Sequence, residues 1–273
     1  MTILVTGATG NIGRKVVDRL LGMGAGRVRA LTNDPVRAAL PDGVEVASGY
    51  LRKLDGLAAA FEGVDRMYLA PAPDTVVDVL ALARAAGVER VVDLSGEPQG
   101  WWGRVAESVE ACGLGWTHLW PGDFMENSMM WARQIRVNGA VREPYPRIAS
   151  APIAMDDIAA VAATALLSEE HLGTSLSLAG PEILTRAELV RLLGVALGRE
   201  IPFIEVSDAE AVEALRPAMG DRAAWYVENV LGGMVEQPVA PTGSVPEILG
   251  RPAVSFARWA ADHVADFAEP ATG

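Results

Sequence analysis

Cysteine is almost absent. Cys112 stands alone among 273 residues, which excludes an internal disulfide and a cysteine-based metal cluster. Histidine is nearly as scarce: His118, His171 and His263 lie far apart and form no zinc-type pair, so no metal site is expected. No apolar run reaches membrane-spanning length, and the longest, 76–86, is broken by Asp78 and Arg84. Excess positive charge is missing too. The formal net charge is −12 and the isoelectric point is near 4.8, which argues against nucleic acid or an anionic membrane as a general partner. The first strand starts at Thr2, and the expectation is a cytoplasmic protein with no signal peptide ahead of it. What remains is a globular chain: 50% of residues are hydrophobic and 21% charged, with length enough for a large core.

The most informative stretch is the first two dozen residues. Thr2 to Thr6 is a short β-branched run that reads as a buried strand. Gly7, Gly10 and Gly13 follow, and then Ile12, Val16, Val17, Leu20 and Leu21 recur with helical period. Strand, glycine turn and amphipathic helix together describe a dinucleotide phosphate site. Gly7 permits a tight turn, Gly10 leaves room for a pyrophosphate, and Gly13 lets helix and strand pack closely; the helix start supplies free N–H groups. The spacing is G-x-x-G-x-x-G, which departs from the G-x-G-x-x-G fingerprint. Thr9, Asn11 and Ile12 belong to the same turn and are expected to contact the nucleotide.

Strands and helices alternate after this turn. Strands are expected at 27–32, 43–48, 66–70, 88–94 and 116–120, with helices at 54–61, 74–86 (capped by Asp74) and 103–112. Repeated β-α-β units with short apolar strands imply a doubly wound parallel α/β sheet. Ligands in such folds sit at the C-terminal strand ends, which places Gly7, Thr32, Ala70 (with Pro71) and Ser95 along one rim. The second half is mixed. A helix rich in Met and Trp is expected at 123–137, and further helices at 156–167, 185–197, 209–215, 222–231 and 256–267, with short strands at 175–178 and 204–206. The expected layout is a Rossmann-like core over 1–150. Residues 151–273 would return in part to the core sheet and otherwise form a smaller substrate cap.

Several segments resemble the NmrA-like group of atypical short-chain dehydrogenases: Thr6-Gly-Ala-Thr-Gly-Asn-Ile-Gly-Arg14, Trp116-Thr-His-Leu-Trp-Pro-Gly-Asp-Phe-Met-Glu-Asn127, Asp156-Asp-Ile-Ala-Ala-Val-Ala162, Leu178-Ala-Gly-Pro-Glu182 and Leu249-Gly-Arg-Pro252. They span nearly the whole chain in the family's order. The resemblance implies a Rossmann domain for NAD(P)(H) and a variable pocket beneath a C-terminal cap; the group mixes reductases with nucleotide-sensing regulators. Thr32 stands where an NAD-preferring site carries an acid for the ribose 2′-OH. Asn33 stands where NADPH-preferring relatives often have Arg, and Gly49-Tyr50-Leu51 where the family commonly has Gly-Asp-Leu. Arg14 and Arg37 are left as guanidinium partners for a 2′-phosphate, unless they are solvated helix-face charges. NADP(H) is therefore expected over NAD(H).

Catalysis is marked by what the family pattern lacks. Short-chain dehydrogenases use a Tyr-x-x-x-Lys pair, whose positions here fall on Gly103 and Glu107; no Tyr or Lys occurs between Ser95 and Gly115. Two groups remain as candidates. Ser95 either hydrogen-bonds a substrate carbonyl or simply ends a strand. Asp123 either donates a proton, if desolvated, or N-caps the helix that follows. Trp101, Trp102, Trp120, Phe124 and Met125 are expected to line a pocket for a flat, apolar, aromatic small molecule, while the Met/Trp stripe also suits plain core or a homodimer face. Three functions stay open. The first is an NAD(P)H-dependent reductase of a quinone, enone or ketone on an aromatic, polyketide-like molecule. The others are a nucleotide-sensing regulator that turns nothing over, and a non-redox tailoring enzyme on the same fold.

Overall fold

A computed structural model describes residues 1–97, 102–236 and 244–268. Trp101, one of the expected pocket residues, lies outside the described residues. The chain divides into two compact units. The first comprises Met1–Pro121, Met155–Leu178 and Ser244–Arg251, and the second Gly122–Ala154, Ala179–Gly243 and Pro252–Gly273.

The first unit is a parallel sheet. Its elements run β1 (Thr2–Val5), α1 (Asn11–Gly22), β2 (Arg27–Thr32), β3 (Glu45–Ser48), α2 (Leu57–Phe61), β4 (Arg66–Leu69), α3 (Val76–Ala85), β5 (Arg90–Leu94), α4 (Gly103–Ala111) and β6 (Gly115–Pro121). After α5 (Ala132–Asn138), β7 (Val141–Glu143) and β8 (Ala149–Ser150) in the second unit, the chain returns with α6 (Met155–Leu167) and β9 (Thr174–Leu178). The seven strands lie in the order β3-β2-β1-β4-β5-β6-β9, and every neighbouring pair is parallel. This is the doubly wound α/β sheet that the alternating pattern predicts.

Strand periodicity decides which side chains meet which helices. Leu4, Met67, Leu69 and Val91 pack with Leu57 and Phe61 of α2, Val79 and Leu80 of α3, and Val105 and Val109 of α4. Ile3, Val5, Tyr68 and Val92 alternate with them and are as deeply buried. On that face lie α1 and α6, which pack against one another. Helix α6 is apolar almost all round, as a helix buried on most sides must be. Its buried Asp157 is paired with Arg251 at 2.7 Å, and this pair ties the segment Ser244–Arg251 to the first unit.

The second unit is built on small sheets and capped helices. Here β7 pairs in parallel with β11 (Phe203–Glu205), and β8 in antiparallel with β10 (Leu184–Thr185). The helices α7 (Arg186–Ala196) and α8 (Asp208–Met219) each begin in a capping box, Thr185 with Glu188 and Ser207 with Glu210. The core gathers Met125, Trp131, Ile135, Val190, Phe256 and Trp259.

Several local expectations are corrected. Asp74 does not cap α3, which starts one residue after Thr75. The single helix expected over 123–137 is a 3-10 segment, Met125–Trp131, leading into α5. Phe124 stays extended because it bridges Ile153, and Asp123 does not act as its cap. The helix expected at 222–231 is α-helical only to Trp225 and continues as a π-helix over Tyr226–Leu231. No described helix is long and apolar enough to cross a membrane.

Candidate functional site

The site begins where β1 ends. The buried hydroxyl of Thr6 donates to the Tyr68 carbonyl at 2.9 Å and accepts from the Ala70 N–H at 2.8 Å, locking the ends of β1 and β4 together. The chain then turns through Gly7 at φ +59°, where a Cβ would also lie 3.0 Å from that of Ala70. Gly10 closes the turn by donating to the Gly7 carbonyl at 2.8 Å. Gly13 allows α1 to approach this turn. A Cβ there would sit 2.2 Å from the Gly7 oxygen and 2.7 Å from its carbonyl carbon, and neither backbone atom can move aside.

Helix α1 therefore starts with open donors. The N–H groups of Asn11, Ile12 and Gly13 have no intrahelical acceptor. The N-cap is Gly10, with no side-chain cap, and no acid occupies the first turn. An anion at this position meets free donors and the positive end of the helix dipole.

A cleft of about 320 Å³ opens beside the turn. It is lined by Gly7 and Thr9, by Thr32 and Asn33 from the end of β2, by Ala70 and Pro71 after β4, and by the turn from Gly49 to Arg52. Six of the expected cofactor residues thus share one cleft, and Gly10 to Gly13 form the helix start next to Gly7. Arg37 does not line the cleft. Its side chain is 89% exposed and 3.7 Å from Asp34, because Asp34 closes the turn that follows β2 by accepting from the Arg37 N–H at 3.1 Å. Arg14 is committed as well, donating to the Ala39 carbonyl at 2.8 Å and lying 3.4 Å from Asp18. Among the described residues no carboxylate lines the cleft, and the one charged lining residue is Arg52. Open N–H groups, a cradle that a Cβ would fill and a cleft free of negative charge fit a dinucleotide.

The expected chemical residues fall partly in the first unit and partly in the second. Ser95, just past β5, is 4% exposed, and its hydroxyl has no hydrogen-bond partner among the described residues. Trp102, at the start of α4, is 40% exposed. Trp120 is half-buried on β6 and lies parallel to the His118 ring at 6.1 Å. Gly103 and Glu107, at the Tyr and Lys positions of the family pattern, are buried and exposed respectively.

In the second unit both carboxylate oxygens of Asp123 accept hydrogen bonds, from Asn127 Nδ2 at 2.8 Å and Ser150 Oγ at 3.0 Å. Phe124 is half-buried. Met125 is a correction: only 1% exposed, it belongs to the core of the second unit, because its N–H donates to the Ile153 carbonyl at 2.9 Å and turns the residue inward.

Beside Asp123 lies a buried ion pair that sequence reading missed. Arg186 makes a two-pronged contact with Glu143 through Nε to Oε2 and Nη2 to Oε1, the latter at 2.8 Å. Its guanidinium lies 4.8 Å over the Trp131 ring, whose N–H donates to Glu143 at 3.1 Å. Burial, the largest single influence, pushes the Arg186 pKa down, but Glu143, Tyr226 and Asp123 together outweigh it, raise the pKa and hold the guanidinium charged. Burial likewise pushes the Tyr226 hydroxyl well above the ordinary tyrosine value, with Arg186 opposing. The Thr185-x-x-Glu188 capping box beside it marks the helix start and says nothing of an ion pair.

A parallel sheet whose first strand runs into this glycine turn, with a cleft at its C-terminal rim, defines a Rossmann-type NAD(P)(H)-binding protein. A family profile described as NAD(P)H-binding matches residues 7–98. Over 97% of its length the chain is 37% identical to (4-alkanoyl-5-oxo-2,5-dihydrofuran-3-yl)methyl phosphate reductase of Streptomyces griseus, covering 99% of that protein. It is 33% identical to the NAD(P)H azoreductase of Xenophilus azovorans, covering 97% of this chain and 99% of the relative. The NADPH-dependent quinone oxidoreductase of Escherichia coli, solved with NADPH, shares the fold with a TM-score of 0.84 at 23% identity, over 96% of this chain and 99% of that one. The chain belongs to the NmrA-like family of atypical short-chain dehydrogenases/reductases.

Proposed function

We propose that this chain, an NAD(P)H-dependent reductase by family, uses NADP(H) to reduce a flat conjugated acceptor, a quinone, enone or ketone carried on an apolar aromatic molecule. The observation that carries the reading is the nucleotide cleft itself: a glycine cradle and an open helix start, with no carboxylate to favour a ribose 2′-OH. The relatives' substrates support the acceptor class. An azo group and the ring alkene of a dihydrofuranone are both conjugated double bonds, which accept a hydride at one end and spread the charge to the other.

That chemistry suits a site without the Tyr–Lys pair. Lys15 and Lys53 are the chain's lysines, and Lys15 is held by Asp156 at 3.1 Å. Held by the glycine turn and the start of α1, NADPH would supply the hydride. The acceptor gains that hydride and one proton from water, since both oxygens of Asp123 are already engaged as acceptors. Ser95, with its unpartnered hydroxyl, donates a hydrogen bond to the oxygen on which negative charge develops. Trp102 and Trp120 offer the acceptor flat apolar surfaces.

The test is loss of reduced-nicotinamide absorbance, with NADPH and NADH run separately against a panel of quinones and enones. Acceptor-dependent oxidation is expected, fading in Gly10→Trp, whose indole would fill the phosphate cradle while the melting temperature is retained. Saturable nucleotide binding without oxidation by any acceptor would replace the reductase with a sensor. Turnover of a substrate indifferent to added nucleotide would point to a non-redox tailoring enzyme.

A further inference from the structure

The cleft poses a charge question that the end of β2 does not answer. The hydroxyl of Thr32 is used within its own turn, accepting from the Asp34 N–H at 3.2 Å. Asn33 is exposed and neutral. Arg14 is spent on the Ala39 carbonyl and Asp18, and Arg37 points away toward Asp34. None of these supplies a free positive charge to the cleft.

Arg52 does. The chain leaves β3 through a tight turn, Tyr50 to Lys53, closed by the Lys53 N–H donating to the Tyr50 carbonyl at 2.8 Å. Leu51 anchors this turn: its side chain is 6% exposed within the core, and its carbonyl accepts from the Thr75 hydroxyl at 2.7 Å. With Leu51 turned inward, its neighbours Tyr50 and Arg52 face outward, and both line the cleft. Among the described residues no hydrogen bond or ion pair engages Arg52, although the chain carries a net charge of −12. An unpaired guanidinium at the edge of a cleft without carboxylates matches a phosphate monoester, which it can bind through two parallel hydrogen bonds; a neutral hydroxyl gives it no comparable partner.

We propose that Arg52 is the residue that selects the 2′-phosphate of NADP(H) over the 2′-hydroxyl of NAD(H). The selecting charge thus comes from the turn after the third strand, not from the end of the second strand. The inference rests on the nucleotide reading of the cleft proposed above.

Titration calorimetry with adenosine 2′,5′-bisphosphate and adenosine 5′-monophosphate tests it without turnover. The wild type is expected to bind the bisphosphate more tightly. Arg52→Ala should weaken bisphosphate binding by about tenfold to a hundredfold, the range for a lost hydrogen bond to a charged group. Monophosphate binding should change by less than about twofold. Arg52→Lys, which keeps the charge but not the fork, should recover part of the loss. Equal affinity of the wild type for both probes would overturn the proposal while leaving the cleft a nucleotide site. So would an Arg52→Ala loss shared equally by both probes, or selectivity that disappears in Arg37→Ala instead. Failure of the wild type to bind either probe would overturn the nucleotide reading, and this proposal with it.

Discussion

Replacing Arg186 with Met should destabilise the protein more than its position at the start of a helix suggests. The substitution keeps an apolar stem and removes the guanidinium, leaving Glu143, which is 0% exposed, with the Trp131 N–H as its remaining side-chain donor from this cluster. Two hydrogen bonds to the carboxylate and the stacking over Trp131 at 4.8 Å disappear together. Breaking a buried pair in this way costs about 3–5 kcal/mol, because a charge stays behind without compensation. Against a total stability of about 5–15 kcal/mol that is a large fraction, and at about 2–4 °C per kcal/mol it lowers the melting temperature by about 6–20 °C. Urea unfolding followed by tryptophan fluorescence measures it, and Arg186→Met/Glu143→Leu completes the cycle. The double variant should recover most of the loss, since no charge is then stranded. A loss below about 1 kcal/mol in Arg186→Met would refute the reasoning. So would a double variant whose loss equals the sum of the two single losses.

Ser95→Ala should lower kcat for carbonyl acceptors by about tenfold, the effect of one lost transition-state hydrogen bond, with nucleotide binding retained. Steady-state kinetics with an unchanged kcat would remove Ser95 from the reaction. Thr185→Ala should cost about 1 kcal/mol through loss of the helix cap, read as a shift in the urea midpoint. Hydrogen bonds from the Thr185 backbone and hydroxyl hold the Glu188 carboxyl below its ordinary value of 4.5. A depressed folded-state pKa means that the folded state binds fewer protons. The stabilisation is therefore present above the ordinary value and lost as pH falls through the folded one. The stability deficit of Glu188→Gln should accordingly shrink on acidification below pH of about 4; a deficit that is constant with pH would contradict the capping-box account.

Much of the first unit was legible because its signals are local. The bounds of β2, Arg27–Thr32, are those expected from the alternation of short strands and helices. Gly7 and Gly13 have the conformation and close approach their spacing implies. The stretch from Asp123 to Val137 misled because its helical periodicity is real but its opening residues answer to a distant partner. Phe124 is held extended by Ile153, so the helix starts late and as 3-10. The same bridge turned Met125 into core. Arg37 and Arg52 could not be ranked from the sequence, since both are exposed arginines in loops. What separates them is that Asp34 pairs with Arg37, whereas no hydrogen bond or ion pair among the described residues engages Arg52.

By itself the sequence determined the alternation of strand and helix, the glycine turn at the end of β1 and the absence of a Tyr–Lys pair. Each depends on residues within about one helical turn of one another, where propensity and period act directly. Only the tertiary structure decided which residues share the cleft, that β9 pairs with β6 from more than fifty residues away, and that Glu143 and Arg186 meet in the core. Those contacts join residues between which the chain carries no periodic signal. They form because a buried charge must find its counter-charge and a strand edge its hydrogen-bond partner, wherever in the chain these happen to lie.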